Sequence, residues 1–407
     1  MSTIPDTTTP SAQELNRLFS AACSYHENND FDKAVSYYSL LTEKVPPSAL
    51  LHFNFGLALY ELGEFEQAEE QYSAAAAIDR KDPDIPYNRG LNLRQLGRIE
   101  EAADCFKLAY SLGDASVDTL YNLALCFQDL EQIEAAEQLY SSILKAVPDH
   151  QASLNNYAYL CHKYGNISRA EELYQRLLAL DPSHLAAQHM LNAVSGETPD
   201  TAPLEYIETV FDNYAGDFEK SLVENLHYRT PALLKEKYLS CFKDEKREHC
   251  LDLGCGTGLA GLEFRSICNR LTGLDISEEM LQVAAEKNIY DALLKDDILS
   301  HLRKSRTDYD LIVAADVFIY LGDLHEIFLA CATKSRDHTI FLFSVETTEA
   351  PRFELKTTGR FGHSLQYIRQ LSEETGWTLL EADSARLRKD KGDWIDGYLL
   401  LLEKRAS

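Results

Sequence analysis

The first half of the chain repeats itself every 34 residues. Five alanines recur at this spacing, and each is followed four residues later by an aromatic residue: Ala34 and Tyr38, Ala68 and Tyr72, Ala102 and Phe106, Ala136 and Tyr140, and Ala170 and Tyr174. A small residue stands twelve positions before each alanine, at Ala22, Gly56, Gly90, Ala124 and Ala158. Residues four apart share one face of a helix. The period therefore predicts helix–turn–helix units that share one continuous core with their neighbours.

These columns resemble the tetratricopeptide repeat. The resemblance implies an α-solenoid of five units, closed by a capping helix at 184–194, so we expect a repeat domain over 12–194. The segment that follows is rich in Pro, Gly and Thr. It predicts a linker at 195–204 and a domain boundary there.

A column of asparagines also follows the 34-residue period: Asn54, Asn88, Asn122 and Asn156. In the tetratricopeptide fold this position faces the concave groove, where amides can hydrogen-bond the main chain of an extended peptide. The alternative is that asparagine at this position is only the ordinary repeat consensus. We expect a protein or peptide partner in the groove.

After the linker, apolar runs alternate with helical patterns. The expected strands are 249–253, 270–274, 292–295, 309–315, 339–345, 378–383 and 395–403, and the expected early helices are 205–222 and one through 231–234. Such alternation predicts a parallel sheet with helices on both faces. The last two strands are joined without an obvious helix, through 387–392, which favours an antiparallel final hairpin.

The first of these strands runs into three glycines at alternate positions, Gly254, Gly256 and Gly258. Glycine allows a sharp turn and lets a ligand lie against main-chain N–H groups. A helix begins directly afterwards, with free N–H groups and the positive end of its dipole at the same point. The pattern predicts a cradle for a nucleotide-like ligand. A dinucleotide loop would have the spacing G-x-G-x-x-G, and here it is G-x-G-x-G.

The glycine loop, Asp275 at the end of the second strand and Asp297-Ile298 after the third resemble the class I S-adenosylmethionine-dependent methyltransferases. The segments 211–215, 314–324 and 359–364 are similar to a narrower group, the tetratricopeptide-containing methyltransferases related to the Williams–Beuren-region methyltransferase. The resemblance implies a Rossmann-like seven-stranded α/β domain over 205–407 and S-adenosylmethionine as the cofactor.

The resemblance also implies roles for individual residues at the cofactor. The main chain of the glycine loop lies against the methionine and ribose portion, and Asp275 accepts hydrogen bonds from the ribose hydroxyls. Apolar side chains cover the adenine, which also makes two polar contacts. The full set is Asp252, Gly254, Cys255, Gly256, Gly258, Asp275, Ile276, Met280, Asp297, Ile298, Ala315 and Asp316. For Asp252 a loop-fixing role is the alternative to a water-mediated contact with the cofactor's ammonium.

Methyl transfer from a sulfonium depends mainly on alignment. A general base is needed only when the acceptor arrives protonated. The candidates are His363, Tyr214 and Tyr320, and the alternative for His363 is a surface or loop-fixing histidine. Arg360 either binds an anionic acceptor or pairs with Glu354. The accepting atom, and whether it belongs to a protein or a small molecule, stays open.

Composition excludes several other classes. The net charge of −26 argues against a nucleic-acid substrate, because phosphate backbones require a basic face. Nine cysteines without regular spacing indicate reduced thiols and no zinc site. We expect no metal, no secretory signal and no membrane span, and hence a cytoplasmic methyltransferase that recruits a partner through its repeats. The alternative is a non-catalytic repeat scaffold whose methyltransferase-like half senses the cofactor.

Overall fold

The structure is a computed structural model of the 407-residue chain, and it describes residues 11–214, 226–243, 245–390 and 392–406. Contacts between residues divide the chain into two compact units, Met1–Leu180 and Asp181–Ser407. Each unit is described by itself.

In its described residues the first unit consists of ten helices, which form five consecutive pairs. They are α1 (Ala12–Glu27), α2 (Phe31–Thr42), α3 (Ala49–Glu61), α4 (Phe65–Ile78), α5 (Asp84–Gln95), α6 (Ile99–Ser111), α7 (Val117–Asp129), α8 (Ile133–Ala146), α9 (Gln151–Lys163) and α10 (Ile167–Leu180). The α-solenoid expected from the 34-residue period is confirmed.

The repeating columns form the core of this unit. All five alanines of the period are fully buried, and the five aromatic residues are at most 2% exposed. The small-residue column meets the aromatic column directly: a Cβ on Gly56 would lie 2.8 Å from the ring of Tyr72, and one on Gly90 would lie 2.9 Å from the ring of Phe106. Close helix crossing at these positions explains why the sequence keeps a small residue there.

The second unit is a sheet with helices on its faces. Its described helices are α11 (Leu185–Ser195), α12 (Leu204–Tyr214), α13 (Thr230–Phe242), α14 (Leu259–Phe264), α15 (Glu278–Glu286), α16 (Ile298–Lys304), α17 (His325–Thr333) and α18 (Leu365–Glu374). Its described strands are β1 (Arg247–Leu253), β2 (Cys268–Asp275), β3 (Ala292–Lys295), β4 (Tyr309–Ala314), β5 (Ser335–Thr347), β6 (Phe353–Leu355), β7 (Phe361–His363), β8 (Trp377–Asp390) and β9 (Asp393–Lys404).

Strands β1 to β5 are parallel and lie in the order β3-β2-β1-β4-β5, and the antiparallel hairpin of β8 and β9 continues the sheet from β5. The seven predicted strands and the final hairpin are therefore confirmed. The count of seven is too low for the described residues, because β6 and β7 form a further short hairpin that pairs with the end of β5. Three-residue strands give too short an apolar pattern to be recognised in sequence.

Alternate residues of the central strands enter two separate cores. Ile312 and Ala314 of β4 pack with α17 and α18, whereas Leu311 and Val313 pack with α13 and α14. Burial on both faces explains the nearly continuous apolar runs of these strands. The carboxyl ends of the five parallel strands meet at one edge of the sheet, where ligands bind in open α/β folds.

The predicted linker is docked on this second unit. The carbonyl of Asp200 accepts hydrogen bonds from the N–H groups of Gly322 (3.0 Å) and Asp323 (2.8 Å), and Thr201 pairs with Leu321. The N–H of Ala202 donates to Tyr320 at 3.1 Å, and the Ala202 side chain is fully buried. Residues 200–202 are thus held in place by hydrogen bonds to residues 320–323. Helix α11, which was predicted to cap the repeats, belongs to the second unit.

Candidate active site

A cavity of about 660 Å³ lies within the second unit, at the carboxyl edge of the sheet. One half is lined by residues that follow β1, β2 and β3, and the other by residues that follow β4 together with residues of the β6–β7 turn and β8. The segment 200–211 forms a further wall. The volume lies within the range of pockets that hold a drug-sized molecule.

The glycine loop forms one side of the cavity. Gly254, Gly256 and Gly258 have φ values of +60°, +53° and +94°, which side-chain-bearing residues adopt at a cost. A Cβ on Gly254 would also lie 2.7 Å from Val317 Cγ2. The loop therefore needs glycine for its backbone conformation and, at position 254, for space.

Asp275 ties the end of β2 to this loop. Its Oδ2 accepts a 2.8 Å hydrogen bond from the N–H of Gly256, and its Oδ1 accepts a 2.9 Å hydrogen bond from the N–H of Ser277. The carboxylate is 8% exposed and lines the cavity. Burial raises its pKa, and the backbone N–H groups of Ser277 and Gly256 oppose that shift. Each oxygen keeps a lone pair for a hydroxyl donor in the cavity.

Asp252 lies beneath the loop, outside the cavity lining. Its Oδ2 accepts a 2.6 Å hydrogen bond from the hydroxyl of Tyr290. Burial raises the pKa of Asp252 to about 7, against the opposing effect of the Tyr290 hydroxyl. These contacts favour the loop-fixing interpretation of Asp252 over a cofactor contact.

Tyr290 is a residue that sequence reasoning missed. Its side chain fills the space beside three glycines. A Cβ placed on Gly258 would lie 3.1 Å from the Tyr290 ring, one on Gly273 would lie 2.9 Å from the ring, and one on Gly261 would lie 2.3 Å from the hydroxyl. The available signal was the pair of glycines inside a helix and a strand, at 261 and 273, because such glycines mark a close approach of another group.

The loop after β3 supplies the far end of this half. Asp297 caps α16 by accepting a 2.9 Å hydrogen bond from the N–H of Ser300 through Oδ2, and its own N–H donates to Asp296. Asp297, Ile298 and Ile276 all line the cavity. Two apolar side chains and a carboxylate therefore face the space where an adenine is expected.

The half after β4 contains a buried cluster of charges. Asp316, in a left-handed conformation with φ of +58°, pairs with Arg388 through Oδ2. The other arm of the guanidinium pairs with Glu346, which also accepts from Lys356 at 3.2 Å. Burial would lower the pKa of Arg388, but the carboxylates of Asp316 and Glu346 raise it above its usual value.

Arg388 and Tyr228 are two polar residues that line the cavity and were not predicted from the sequence. Arg388 stands in a charged run that predicts an exposed turn, yet it is 2% exposed because two carboxylates compensate its charge. Burial raises the pKa of Tyr228, and the carboxylate of Asp316 adds to the shift. Tyr228 is therefore a protonated phenol beside the cavity at neutral pH.

Most of the cofactor residues expected from sequence meet at the cavity. Those that line it are Gly254, Cys255, Gly256, Asp275, Ile276, Asp297, Ile298, Ala315 and Asp316. Three others do not: Asp252, Gly258 and Met280 lie outside the lining. Met280, expected among the residues that cover the adenine, is instead fully buried in the protein interior.

The three candidate bases are separated by the structure. Tyr320 lines the cavity. His363 does not: it is fully buried, and its Nε2 donates to the carbonyl of Gly322 at 2.9 Å. Burial lowers the pKa of His363 to about 4. The side chain of Tyr214 lies outside the described residues, so its role stays a prediction.

Three asparagines of the column make hydrogen bonds within the first unit, some inside one helix and some between helices. The Nδ2 of Asn88 donates to the carbonyl of Asp84 at 2.8 Å, and the Nδ2 of Asn122 donates to that of Asp118 at 2.9 Å. Asn156 donates instead to the Tyr121 hydroxyl at 2.7 Å. All four asparagines, Asn54 included, are half-buried. The amide oxygen of Asn122 accepts from Arg94 at 3.1 Å.

Comparison with known proteins identifies both parts of the chain. Residues 250–335 match the family model of a methyltransferase domain. Tetratricopeptide-repeat models match residues 15–43, 56–92, 85–112 and 131–194.

Among curated proteins, the chain is 26% identical over 140 residues to the ubiquinone biosynthesis O-methyltransferase of Serratia proteamaculans, covering 31% of this chain and 58% of that protein. It is 34% identical over 101 residues to the malonyl-[acyl-carrier protein] O-methyltransferase of Hamiltonella defensa, covering 25% and 39%. The chain thus spans less than two thirds of the length of either relative. Among solved structures, magnesium protoporphyrin IX methyltransferase from Synechocystis PCC 6803 with bound SAM is 15% identical at a TM-score of 0.40, over 50% of this chain and 97% of that one.

Proposed function

We propose that this chain, which joins tetratricopeptide repeats to a class I methyltransferase domain, transfers a methyl group from S-adenosylmethionine to an acceptor bound in the same cavity. The observation that carries the proposal is the link between Asp275 and the N–H of Gly256 at the cavity wall. This link holds a carboxylate and a stretch of bare main chain side by side. A vicinal diol and the adjoining chain of a nucleoside need that combination.

The residues present fit the cofactor. Gly254 and Gly256 line the cavity without side chains, so the loop presents its main chain to a ligand there. Asp275 would accept from the ribose hydroxyls, and Ile276, Asp297 and Ile298 would surround the adenine. Ala315 and Asp316, after β4, would close the methionine end. The carboxylates in the lining also suit a ligand with a positive charge.

When bound, S-adenosylmethionine supplies an activated methyl group on a sulfonium. The contribution of the chain is to align the acceptor, which can account for about 7–11 kcal/mol of the barrier. Where the acceptor arrives protonated, Tyr320 is the candidate base that lines the cavity. The position of His363 supports leaving it out of the chemistry, because its Nε2 is held by a carbonyl.

The test is a calorimetric titration of the full chain with S-adenosylhomocysteine. We expect binding that Asp275→Ala weakens tenfold or more, or at least about 1.4 kcal/mol. Asp308→Ala is the matched control, because Asp308 is exposed and lies outside the cavity lining. Equal affinity in Asp275→Ala and wild type would contradict the proposed role of Asp275. No binding to wild type would leave the alternative of a scaffold with an inert methyltransferase-like half.

For the repeats we propose a protein or peptide partner in the groove. The contacts of Asn88 and Asn122 occupy one amide hydrogen each, which leaves the second hydrogen for a ligand. The test is a pull-down of partner proteins with wild type and with the double variant Asn88→Ala/Asn122→Ala. Loss of the wild-type partners in the variant would support peptide binding by these amides. Retention of the same partners would show that Asn88 and Asn122 only stabilise α5 and α7. Asp104→Ala/Lys107→Ala, an exposed pair on α6, is the control.

We also propose a reducing compartment such as the cytoplasm for this chain. All nine cysteines are free, and seven of them are buried. Among the described residues, no helix is both long enough and apolar enough to cross a bilayer. Labelling of the unfolded chain, freshly isolated under conditions that trap thiols, should find nine reactive thiols.

A further inference from the structure

The two halves of the cavity differ in their charges. Asp275, Asp296 and Asp297 lie in the half that follows β2 and β3, where the cofactor is proposed to bind. The half that follows β4 is left for the acceptor. Both assignments rest on the proposed function.

Most charges in the acceptor half are compensated by neighbours. Asp316 and Glu346 share Arg388, and Glu346 also pairs with Lys356. Asp323, at the rim, pairs with Arg352 at 3.0 Å. Paired charges of this kind present little net field to a ligand.

Arg360 is paired less closely than these groups. It lines the cavity with a half-buried side chain. Within the described part of the chain its nearest carboxylate is Asp390, with Nη1 and Oδ2 3.6 Å apart, which is beyond hydrogen-bonding distance. Glu354, the partner considered from sequence, accepts from the hydroxyl of Thr348 instead. Arg360 is thus a cation at the cavity wall whose donors are available to a ligand.

The backbone around Arg360 is held firmly. Residues 356–360 form the turn between β6 and β7, in which the N–H of Lys356 donates to the Arg360 carbonyl and the N–H of Gly359 donates to the Lys356 carbonyl, both at 2.9 Å. His189 of α11 donates through Nε2 to the carbonyl of Gly359 at 2.8 Å. Gly359 has φ of +76°, and a Cβ there would lie 3.0 Å from Met190 Sδ.

A largely apolar wall, formed by part of the segment 200–211 and by residues after β4, adjoins this half. Its side chains are those of Leu204, Ile207, Phe211, Leu321 and Tyr320, all of which line the cavity. The rings of Phe211 and Tyr320 meet edge to face at 5.3 Å between centroids. An apolar wall beside one cation suits a ligand with an apolar body and an oxyanion, because a guanidinium binds carboxylates and phosphates through paired hydrogen bonds.

We propose that the methyl acceptor carries an oxyanion, bound by Arg360, on an apolar body that packs against the wall formed by α12 and Tyr320. The exposed carboxylate of Asp200 also lines the cavity. Water screens it at the rim, whereas the half-buried guanidinium keeps more of its field.

The experiment uses the full chain saturated with S-adenosylhomocysteine and three matched probes: phenylacetate, phenylacetamide and phenethylamine. Binding is measured by ligand-observed NMR at millimolar concentrations. We expect phenylacetate to bind about fivefold more tightly than the amide and more tightly than the amine. Arg360→Gln should remove the preference, and Arg360→Lys should retain part of it because the charge remains without the paired donors.

The control is Arg369→Gln, the same substitution at an exposed position of α18 outside the cavity lining. Equal binding of the three probes, binding of none of them, or a preference that survives Arg360→Gln would each overturn the proposal. Titration of the same samples with S-adenosylhomocysteine distinguishes failure of the Arg360 proposal from failure of the proposed function. If that ligand binds while the carboxylate preference is absent, only the role of Arg360 fails; if it does not bind, the proposed function fails and this proposal with it.

Discussion

The hydroxyl of Tyr290 donates a 2.6 Å hydrogen bond to the buried carboxylate of Asp252, directly beneath the glycine loop. The two residues are far apart in sequence, and neither lines the cavity. Their contact nevertheless fixes the strand end from which the loop begins. The shape of the proposed cofactor site therefore depends on a pair that would not touch the cofactor.

Tyr290→Phe should destabilise the second unit by about 1–3 kcal/mol, because a buried carboxylate loses its donor. The Tyr290 hydroxyl lowers the pKa of Asp252, which is about 7, so its removal should raise that pKa further. Below pH 7 the carboxyl is increasingly neutral and needs the donor less. The loss should therefore be larger at pH 8 than at pH 6.

Urea unfolding followed by tryptophan fluorescence measures this effect, because both tryptophans, Trp377 and Trp394, belong to the second unit. In the Asp252→Asn background the same Tyr→Phe change should cost less, and the difference is the coupling energy of the pair. Equal costs in both backgrounds would show that the hydrogen bond contributes nothing beyond packing.

Arg388→Met should destabilise the second unit by about 3–5 kcal/mol, since it leaves Asp316 and Glu346 buried without their shared cation. Replacing all three with neutral residues, as Arg388→Met/Asp316→Asn/Glu346→Gln, should restore most of the loss. The free energy of unfolding in urea checks both variants. A triple variant as unstable as the single one would place the effect in packing instead of charge.

The sequence predicts the repeat core and the seven long strands well, because both are encoded by local periodicity. Ala102 and Phe106 recur at a fixed spacing, and residues 311–314 of β4 form an uninterrupted apolar run. The glycine loop was equally clear, since positive φ at Gly254 leaves few other choices. These features each follow from a few neighbouring residues.

Residues placed by tertiary contacts could not be predicted in this way. Arg388 looks like part of an exposed charged turn until Asp316 and Glu346, both distant in sequence, are brought beside it. His363 was among the candidate bases because the three-residue strand β7 is too short to be recognised from the sequence. The strand carries it into the interior, where the Gly322 carbonyl binds it.

Because His363 is buried, the free energy of unfolding should depend on pH. Burial lowers its pKa from 6.5 to about 4 in the folded chain. Below pH 6.5 the unfolded chain therefore takes up a proton that the folded chain resists, so this contribution to stability is complete above pH 6.5 and is lost as the pH falls towards 4. The full loss is about 3 kcal/mol.

The measurement is the free energy of unfolding from pH 7 to pH 4 in wild type and in His363→Gln, whose side-chain amide can still donate to Gly322. Other groups titrate equally in both proteins, so the difference isolates His363. We expect the wild type to lose more stability than the variant over this range. Parallel curves would mean that His363 titrates in the folded chain as it does in the unfolded one.

His189→Leu should loosen the turn that carries Arg360, because the Gly359 carbonyl loses its donor. A hydrogen bond of this kind contributes about 1 kcal/mol, so amide exchange at Gly359 and its neighbours should become about fivefold faster by local opening. Hydrogen exchange resolved to residues 356–360 tests this. Gln188→Leu, on the exposed side of the same helix, should leave exchange in the turn unchanged. If both variants speed exchange equally, the cause is a general weakening of α11. If neither does, the contact with Met190 and the hydrogen bonds of the turn are enough to hold Gly359, and His189 does not position Arg360.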